Sequence, residues 1–504
     1  MYTRTRTRTR HGAEIKDSQG LTRRSVSFGA QILILIGSIT FFLIVYNMFG
    51  IHAAAVAACI GGGGGGGAAA ASSLSKSHST DIPQYFQTRP ELFAGPTPTG
   101  AAPFLAQTNP APFLGTSYIP NSPLETQVPI AGNENGSNIF QMMGQLSHYF
   151  PNPHGFGVNE YSLPPGAEIV QLNMLHRHGS RYPTTGSGAY HFAQKHNNMT
   201  AKAKYTGELS FLNDWTYQLG AEILVPVGKQ ELFDSGTLHY YQYGHLYPNN
   251  GSKILVRSTT QDRMTQSAEY FLAGFFGLQW PSNATLMLAI EHWPGVWNNT
   301  LAGYYNCANS NNFRSAGGHN ATVEWYTKYL ANATERLNKL SPGFDWTAED
   351  SYNAQSLCAY ETVALGFSQF CSLFTYQEWQ GYEYSIDINF AGGNGFQSPT
   401  GRAIGIGYVQ EILARLQHHT IDAPIAQINF TLDNSSTTFP LDQSINLDFS
   451  HDTNIMSILT AFGLEQFAQF LPADRIVPHE LVVSHMVSIA FFGNDSMDFL
   501  APKI

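Results

Sequence analysis

Charge is scarce in this chain. Asp, Glu, Lys and Arg make up only 12% of its 504 residues, against about a quarter in an ordinary soluble domain. The formal balance is -10, and no broad basic patch exists beyond the N-terminus. That excludes an ordinary nucleic-acid binder. Cysteine is scarcer still: Cys59, Cys307, Cys358 and Cys371 are the full set. These are too few for a small disulfide scaffold and suit one or two bridges in a large secreted domain. Without a Cys-x-x-Cys pair, a zinc ribbon or dithiol redox site is excluded too. Internal repeats are also lacking. Apolar residues, by contrast, reach 43%, enough for a sizeable core. Asn-x-Ser/Thr triplets recur at Asn135, Asn198, Asn250, Asn283, Asn298, Asn320, Asn332, Asn429, Asn434 and Asn494. Their density points weakly to the secretory route.

The one long hydrophobic run sits near the start. Arg4, Arg6, Arg8, Arg10, Arg23 and Arg24 precede an apolar stretch over residues 28–51. It reaches the roughly 20 residues that a helix needs to cross a bilayer. The preceding arginines keep residues 1–27 cytosolic and send the rest to the lumen or outside. The run is longer than an ordinary signal peptide, so it reads as an uncleaved anchor. Cleavage among Ala53 to Ala58 is the alternative. Residues 52–126, with seven consecutive glycines and then Ser, Thr, Pro and Gly, cannot bury enough apolar surface to order themselves. They read as a flexible stalk, and residues 127–504 as the globular part.

Three stretches in that part carry chemistry. The first is Glu168 to Pro183, EIVQLNMLHRHGSRYP. Ile169 to Leu175 is an apolar run of strand length, as in a strand covered on both faces. Just after it, Arg177, His178 and Arg181 crowd beside Gly179. Guanidiniums fork onto tetrahedral oxyanions, and His178 between them is a candidate nucleophile. The second stretch predicts a short strand over Lys253 to Val256 that delivers Arg257 at its end. A helix follows from Gln261–Asp262, with Met264, Ala268, Phe271, Leu272 and Phe275 on one face. In the third, Ile445, Leu447 and Phe449 alternate with Asn446 and Asp448. That strand ends at Ser450-His451-Asp452, and the helix after it stops at Gly463. Ligands of open α/β sheets bind outside the carboxyl ends of strands. Arg177, His178, Arg181, Arg257, His451 and Asp452 are therefore expected to meet.

The segment Arg177 to Pro183, with His451-Asp452, resembles the histidine acid phosphatase and fungal phytase branch of the histidine phosphatases. Also similar are FLNDWTY at Phe211 to Tyr217, the blocks Arg257 to Phe276 and Cys358 to Trp379, and Gly401 to Leu416. The resemblance runs from about Gln141 to Val487. It implies a mixed-sheet α/β core with a mainly helical subdomain, supplied by about 186–250 and 300–390, and a catalytic cleft between them. It implies hydrolysis of phosphate monoesters, phytate among them, without cofactor or metal. It makes His178 the nucleophile and Asp452 the proton donor. Arg177, Arg181, Arg257 and His451 become phosphate ligands. An acidic optimum is expected, because a donating carboxyl must be protonated.

Blander roles fit other residues. His176 reads as structural, Arg263 as an ion-pairing residue of its helix, and Asp452 alone as a possible helix cap. Within the block that resembles the family, Cys358 and Cys371 are a plausible local bridge, and Cys307 would then need a partner. From about residue 488 the chain departs from the resemblance, which continues elsewhere with further strands and cysteines. An altered or truncated end of this kind is expected to leave a sheet edge unpaired. Two rivals remain: an inactive membrane-tethered relative that binds phosphorylated ligands, and a phosphoglycerate mutase-like phosphotransferase. The latter is disfavoured by the secretory segment and the His-Asp pair. Oligomeric state is not legible.

Overall fold

Parallel strands need helical crossovers, and the chain alternates accordingly. The computed structural model describes residues 139–148, 168–291, 297–310, 316–423, 426–479, 486–493 and 499–503. The basic tail, the apolar run 28–51 and the stalk lie outside the described residues, as do Cys59, Asn135 and Asn494. Among the described residues, no helix is long and apolar enough to cross a membrane.

The strands are β1 (Glu168–Arg177), β2 (Ile254–Thr259), β3 (Ala284–Ala289), β4 (Ile445–Ser450), β5 (Met486–Gly493) and β6 (Phe499–Lys503). Helices of ten residues or more, among the described residues, are α1 (Gly188–Met199), α2 (Pro226–Tyr243), α3 (Asp262–Phe276), α4 (Gly317–Tyr329), α5 (Ala331–Leu340), α6 (Ala348–Leu365), α7 (Tyr376–Gly393), α8 (Gly401–Leu416) and α9 (Asp452–Phe462). The sheet order is β3-β2-β4-β1-β5-β6. Its first four strands are parallel, and β5 and β6 are antiparallel. The mixed-sheet α/β core expected from sequence is therefore present.

On one face, Leu172, Met174, Ile254, Val256, Ile445, Leu447 and Phe449 form a core with α2 and α3. The stripe foreseen on α3, from Met264 to Phe275, is the part of that helix buried there. The other face differs from a simple reading of the alternation in β4. Polar residues at every second position usually mark a solvated face. Here Asn446, Asp448 and Ser450 are buried. Asp448 accepts from Arg257 Nε at 2.6 Å and Nη2 at 2.8 Å, and from Arg415 Nη1 and Tyr408 Oη at 2.9 Å. Burial alone would raise its carboxyl. The Arg257 and Arg415 charges outweigh that and hold it well below the usual range. The charges on this face thus exist as a paired cluster beneath α8, the arrangement that a buried ion requires.

A second core packs the remaining helices around Phe192, Trp346, Leu357, Phe370, Trp379 and Tyr382. Capping boxes start α6 at Thr347 and Asp350, and α7 at Thr375 and Glu378; each satisfies backbone donors that the first turn leaves free. The Cys358–Cys371 disulfide is formed and closes a separation of 13 residues. A loop of that size contributes about 3 kcal/mol by restricting the unfolded chain. Cys307 carries no disulfide among the described residues. Gly463 ends α9 with a φ of 75° and a ψ of 33°, the left-handed stop foreseen there.

The expected bare edge does not arise at β1. Residues 486–493 return antiparallel along it, from Glu168↔Gly493 to His176↔Met486, and β6 pairs with β5. β5 and β6 thus extend the sheet beyond β1, and the edge on that side lies at β6 among the described residues.

One group in the helical core makes stability depend on pH. Glu361 is buried between Trp215 Nε1 at 2.8 Å and Ser368 Oγ at 2.6 Å, and burial pushes its carboxyl up to about 7. A raised folded value means that folding favours the proton. No penalty exists below the unfolded value of about 4.3. Stability then falls as pH rises towards about 7. Glu361→Gln keeps both polar contacts without the charge. It is expected to match the wild type at about pH 4 and exceed it by about 1–3 kcal/mol at about pH 8, in urea unfolding at both values. An equal difference at both pH values would contradict this.

Candidate active site

The signature after β1 is held by backbone contact, not by side chains alone. A Cβ on Gly179 would lie 2.2 Å from Gly228 O, and one on Gly228 would lie 2.0 Å from Ser180 O. Only glycine permits the start of α2 to press against this loop. Glu231 of α2 adds two contacts, accepting from Ser180 N at 2.8 Å and Ser180 Oγ at 2.9 Å. Opposite them, Gly179 N donates to Ser267 Oγ of α3.

His178 is buried in this clamp. Its Nδ1 lies 2.8 Å from Gly179 O. A carbonyl only accepts, so Nδ1 carries the proton and Nε2 keeps its lone pair. Nε2 faces Arg181 Nε at 3.4 Å. Burial, then the charges of Arg177, Arg181, His451 and Arg263, hold the imidazole well below its ordinary pKa and therefore neutral. An imidazole whose Nε2 is unprotonated, and accepts from Arg181 in the empty site, is equipped to attack an anionic electrophile among these cations.

Asp452 opens α9. Its Oδ1 accepts from Thr453 N at 2.8 Å, and its Oδ2 accepts from Arg177 Nε at 2.8 Å. The N-cap of α9 is His451, so Asp452 is the first helical residue and not the cap, and its carboxylate belongs to the site. Burial would raise this carboxyl, but the Arg177, Arg181 and His451 charges win and hold it at about 2. The His451 ring stands 5.7 Å from that of His178. Its Nε2 lies 3.0 Å from Glu291 Oε1, and that oxygen accepts from Tyr304 Oη at 2.9 Å and Gln261 Nε2 at 2.6 Å.

Five of the six expected residues, Arg177, His178, Arg181, His451 and Asp452, therefore converge. Arg257 does not join them. β2 runs on to Thr259, so Arg257 lies inside the strand, opposite Asp448. Its guanidinium is taken by Asp448 and by Glu411 at 2.7 Å. Arg263 is the arginine that bears on the site, a role its sequence context did not suggest. It sits in the first turn of α3, and its charge acts on His178. Its Nη1 pairs with Glu222 Oε2 at 2.7 Å, while its buried Nε has no hydrogen-bond partner among the described residues. Arg263 and Glu291 both come just after the carboxyl ends of parallel strands, and that rule would have found them. Glu222 and Glu231 carried no such signal.

His176 faces the other way. Its ring packs on Phe271 and Phe449, with Nδ1 on Arg177 O and Nε2 on Ser235 Oγ. Those contacts account for it as a core residue.

The profile of the Histidine phosphatase superfamily (branch 2) matches residues 168–490. The chain belongs to this superfamily. Membership makes it a phosphoric monoester hydrolase. Phytase A of Emericella nidulans is 31% identical over 382 residues, covering 70% of this chain and 80% of the relative. Phytase A of Arthroderma benhamiae is 31% identical over 343 residues, covering 67% and 74%. The crystal structure of the phytase from D. castellii shares the superfamily fold with this chain at a TM-score of 0.60 and 23% identity, over 74% of this chain and 83% of that one.

Proposed function

We propose that the chain hydrolyses phosphate monoesters by two displacements at phosphorus. In the first, His178 Nε2 bonds to phosphorus while the ester P–O bond breaks. Asp452 gives its proton to the leaving oxygen. In the second, water attacks the phosphohistidine, Asp452 takes the water's proton, and the P–N bond breaks to release phosphate. Arg177, Arg181, Arg263 and His451 hold the phosphoryl oxygens and offset their charge, the main demand of phosphoryl transfer. The observation that carries this reading is the orientation of His178, with Nδ1 on Gly179 O and Nε2 accepting from Arg181 Nε.

Phytate is a candidate substrate, supported by the two relatives named Phytase A. A broad acid phosphatase activity is equally supported by the site, which grips one phosphoryl group. The test is to mix the full chain with a phosphorus-labelled ester, quench in alkali and look for label on His178. Label there supports the reading, and activity without label overturns the covalent step.

The proposal extends to location. Arginines before the apolar run 28–51 support a tethered enzyme with a luminal or extracellular catalytic part. The full chain is expected in the membrane pellet after alkaline carbonate extraction, with residues 127–504 protected from external protease in sealed vesicles. Release into the supernatant would instead mean a cleaved or peripheral segment.

A further inference from the structure

We infer that Glu222 is a positioning residue of the reaction: it fixes Arg263 against the signature loop. The inference rests on the phosphohistidine reading above. Three independent observations meet at this residue.

The first is the backbone. Glu222 has a φ of 68°, a left-handed conformation that a non-glycine residue keeps only where its surroundings demand it. The second is a clasp. Glu222 N donates to Pro183 O, Tyr182 N to Ile223 O and Val225 N to Ser180 O, with a bridge between Arg181 and Leu224. The segment that bears Glu222 is thus bonded along the signature itself. The third is the side chain. Its Oε1 accepts from Thr185 N at 2.8 Å, and its Oε2 pairs with Arg263 Nη1 at 2.7 Å.

The need for such a residue is electrostatic. Arg181 and Arg263 repel one another, and burial also works against the charge of Arg263. An arginine on the first turn of a helix, opposed by a second arginine, would otherwise swing away from the site before substrate arrives. Glu222 offsets that repulsion. Although burial raises its carboxyl, the Thr185 amide and the Arg263 and Arg181 charges hold it below its ordinary value and ionised. Because Nη1 is engaged by Glu222, the buried Nε, which has no hydrogen-bond partner among the described residues, stays in a fixed place. Arg263 is then already in position when a phosphoryl group binds, which is where preorganised charge acts.

The test is a double-mutant cycle on the full chain: wild type, Glu222→Gln, Arg263→Gln and the double variant, with 4-nitrophenyl phosphate and inorganic phosphate as the competing probe. Glu222→Gln is expected to lower kcat/KM about 10-fold and to weaken phosphate inhibition, with thermal melting unchanged. Arg263→Gln is expected to cost about 100-fold. The double variant should match Arg263→Gln within about 3-fold, because Glu222 acts through Arg263. Should Glu222→Gln fail to fold, Glu222→Asp takes its place in the cycle. Full activity in the Glu222 variant, or losses that simply multiply, would overturn the inference while leaving the phosphatase reading intact. A wild-type chain that folds but hydrolyses nothing would overturn both.

Discussion

His178→Ala is expected to lower kcat by at least about 10³-fold on every phosphate ester, with melting temperature and phosphate binding nearly intact. The reasoning is geometric. His178 Nε2 is the ring nitrogen that keeps its lone pair, since Nδ1 donates to Gly179 O, and that lone pair accepts from Arg181 Nε at 3.4 Å. Alanine removes the nucleophile but leaves Arg177, Arg181, Arg263 and His451 to hold phosphate. A residual rate above that in water is therefore expected. Steady-state assays of the full chain at about pH 5, beside isothermal titration with inorganic phosphate, check this. A variant that keeps a tenth of its activity would mean direct attack by water, with the cationic ring acting alone. A variant that loses phosphate binding as well would mean that His178 is chiefly a structural member of the ring.

Asp452→Asn should have an effect that depends on the leaving group. An alkoxide departs badly without a proton, whereas 4-nitrophenolate departs readily. The variant is expected to lose about 10³-fold in kcat on an alkyl phosphate and about 10-fold on 4-nitrophenyl phosphate. Equal losses on both substrates would assign Asp452 to positioning Arg177. The same group sets the pH dependence. In the empty site the Arg177, Arg181 and His451 charges hold this carboxyl at about 2. It is therefore an anion at working pH, and no donor. A bound phosphoryl dianion draws on those same cations and adds a negative charge nearby. Both changes raise the carboxyl, so Asp452 gains its proton in the complex. The basic limb of kcat should report Asp452 in the complex, whereas that of kcat/KM reports the free enzyme and should begin far lower, at about 2. In Asp452→Asn that limb should vanish.

Much of this site was legible because its parts sit at strand ends. The run before His178 is mostly apolar and the one before His451 alternates, both are short and bounded, and the rule of the carboxyl edge places the residues just beyond each run at the site. Arg257 misled for a local reason. Lys253 to Val256 looked like the whole strand, but pairing with β3 carries β2 on to Thr259. Strand length is decided by neighbours, which sequence spacing does not reveal. The same applies to Asp448. Its alternation with Leu447 and Phe449 was visible, but the arginines that bury it come from positions 257 and 415. The carboxylates Glu222 and Glu231 were invisible for a third reason. Each matters through a partner far along the chain, and nothing about a lone glutamate announces that. The pairing of residues 486–493 with β1 was not legible either, because which strand lies beside β1 is again set by neighbours.

The contact between Gly179 and Gly228 has a mechanical consequence. Where two main chains touch with no side chain between them, nothing soft separates them. The loop bearing the nucleophile and the first turn of α2 therefore travel as one solid piece. Heat should then not slacken the catalytic loop ahead of the body. The loss of turnover and the melting of the α2 layer become a single event, and the durability of this enzyme is set in the packing behind the site.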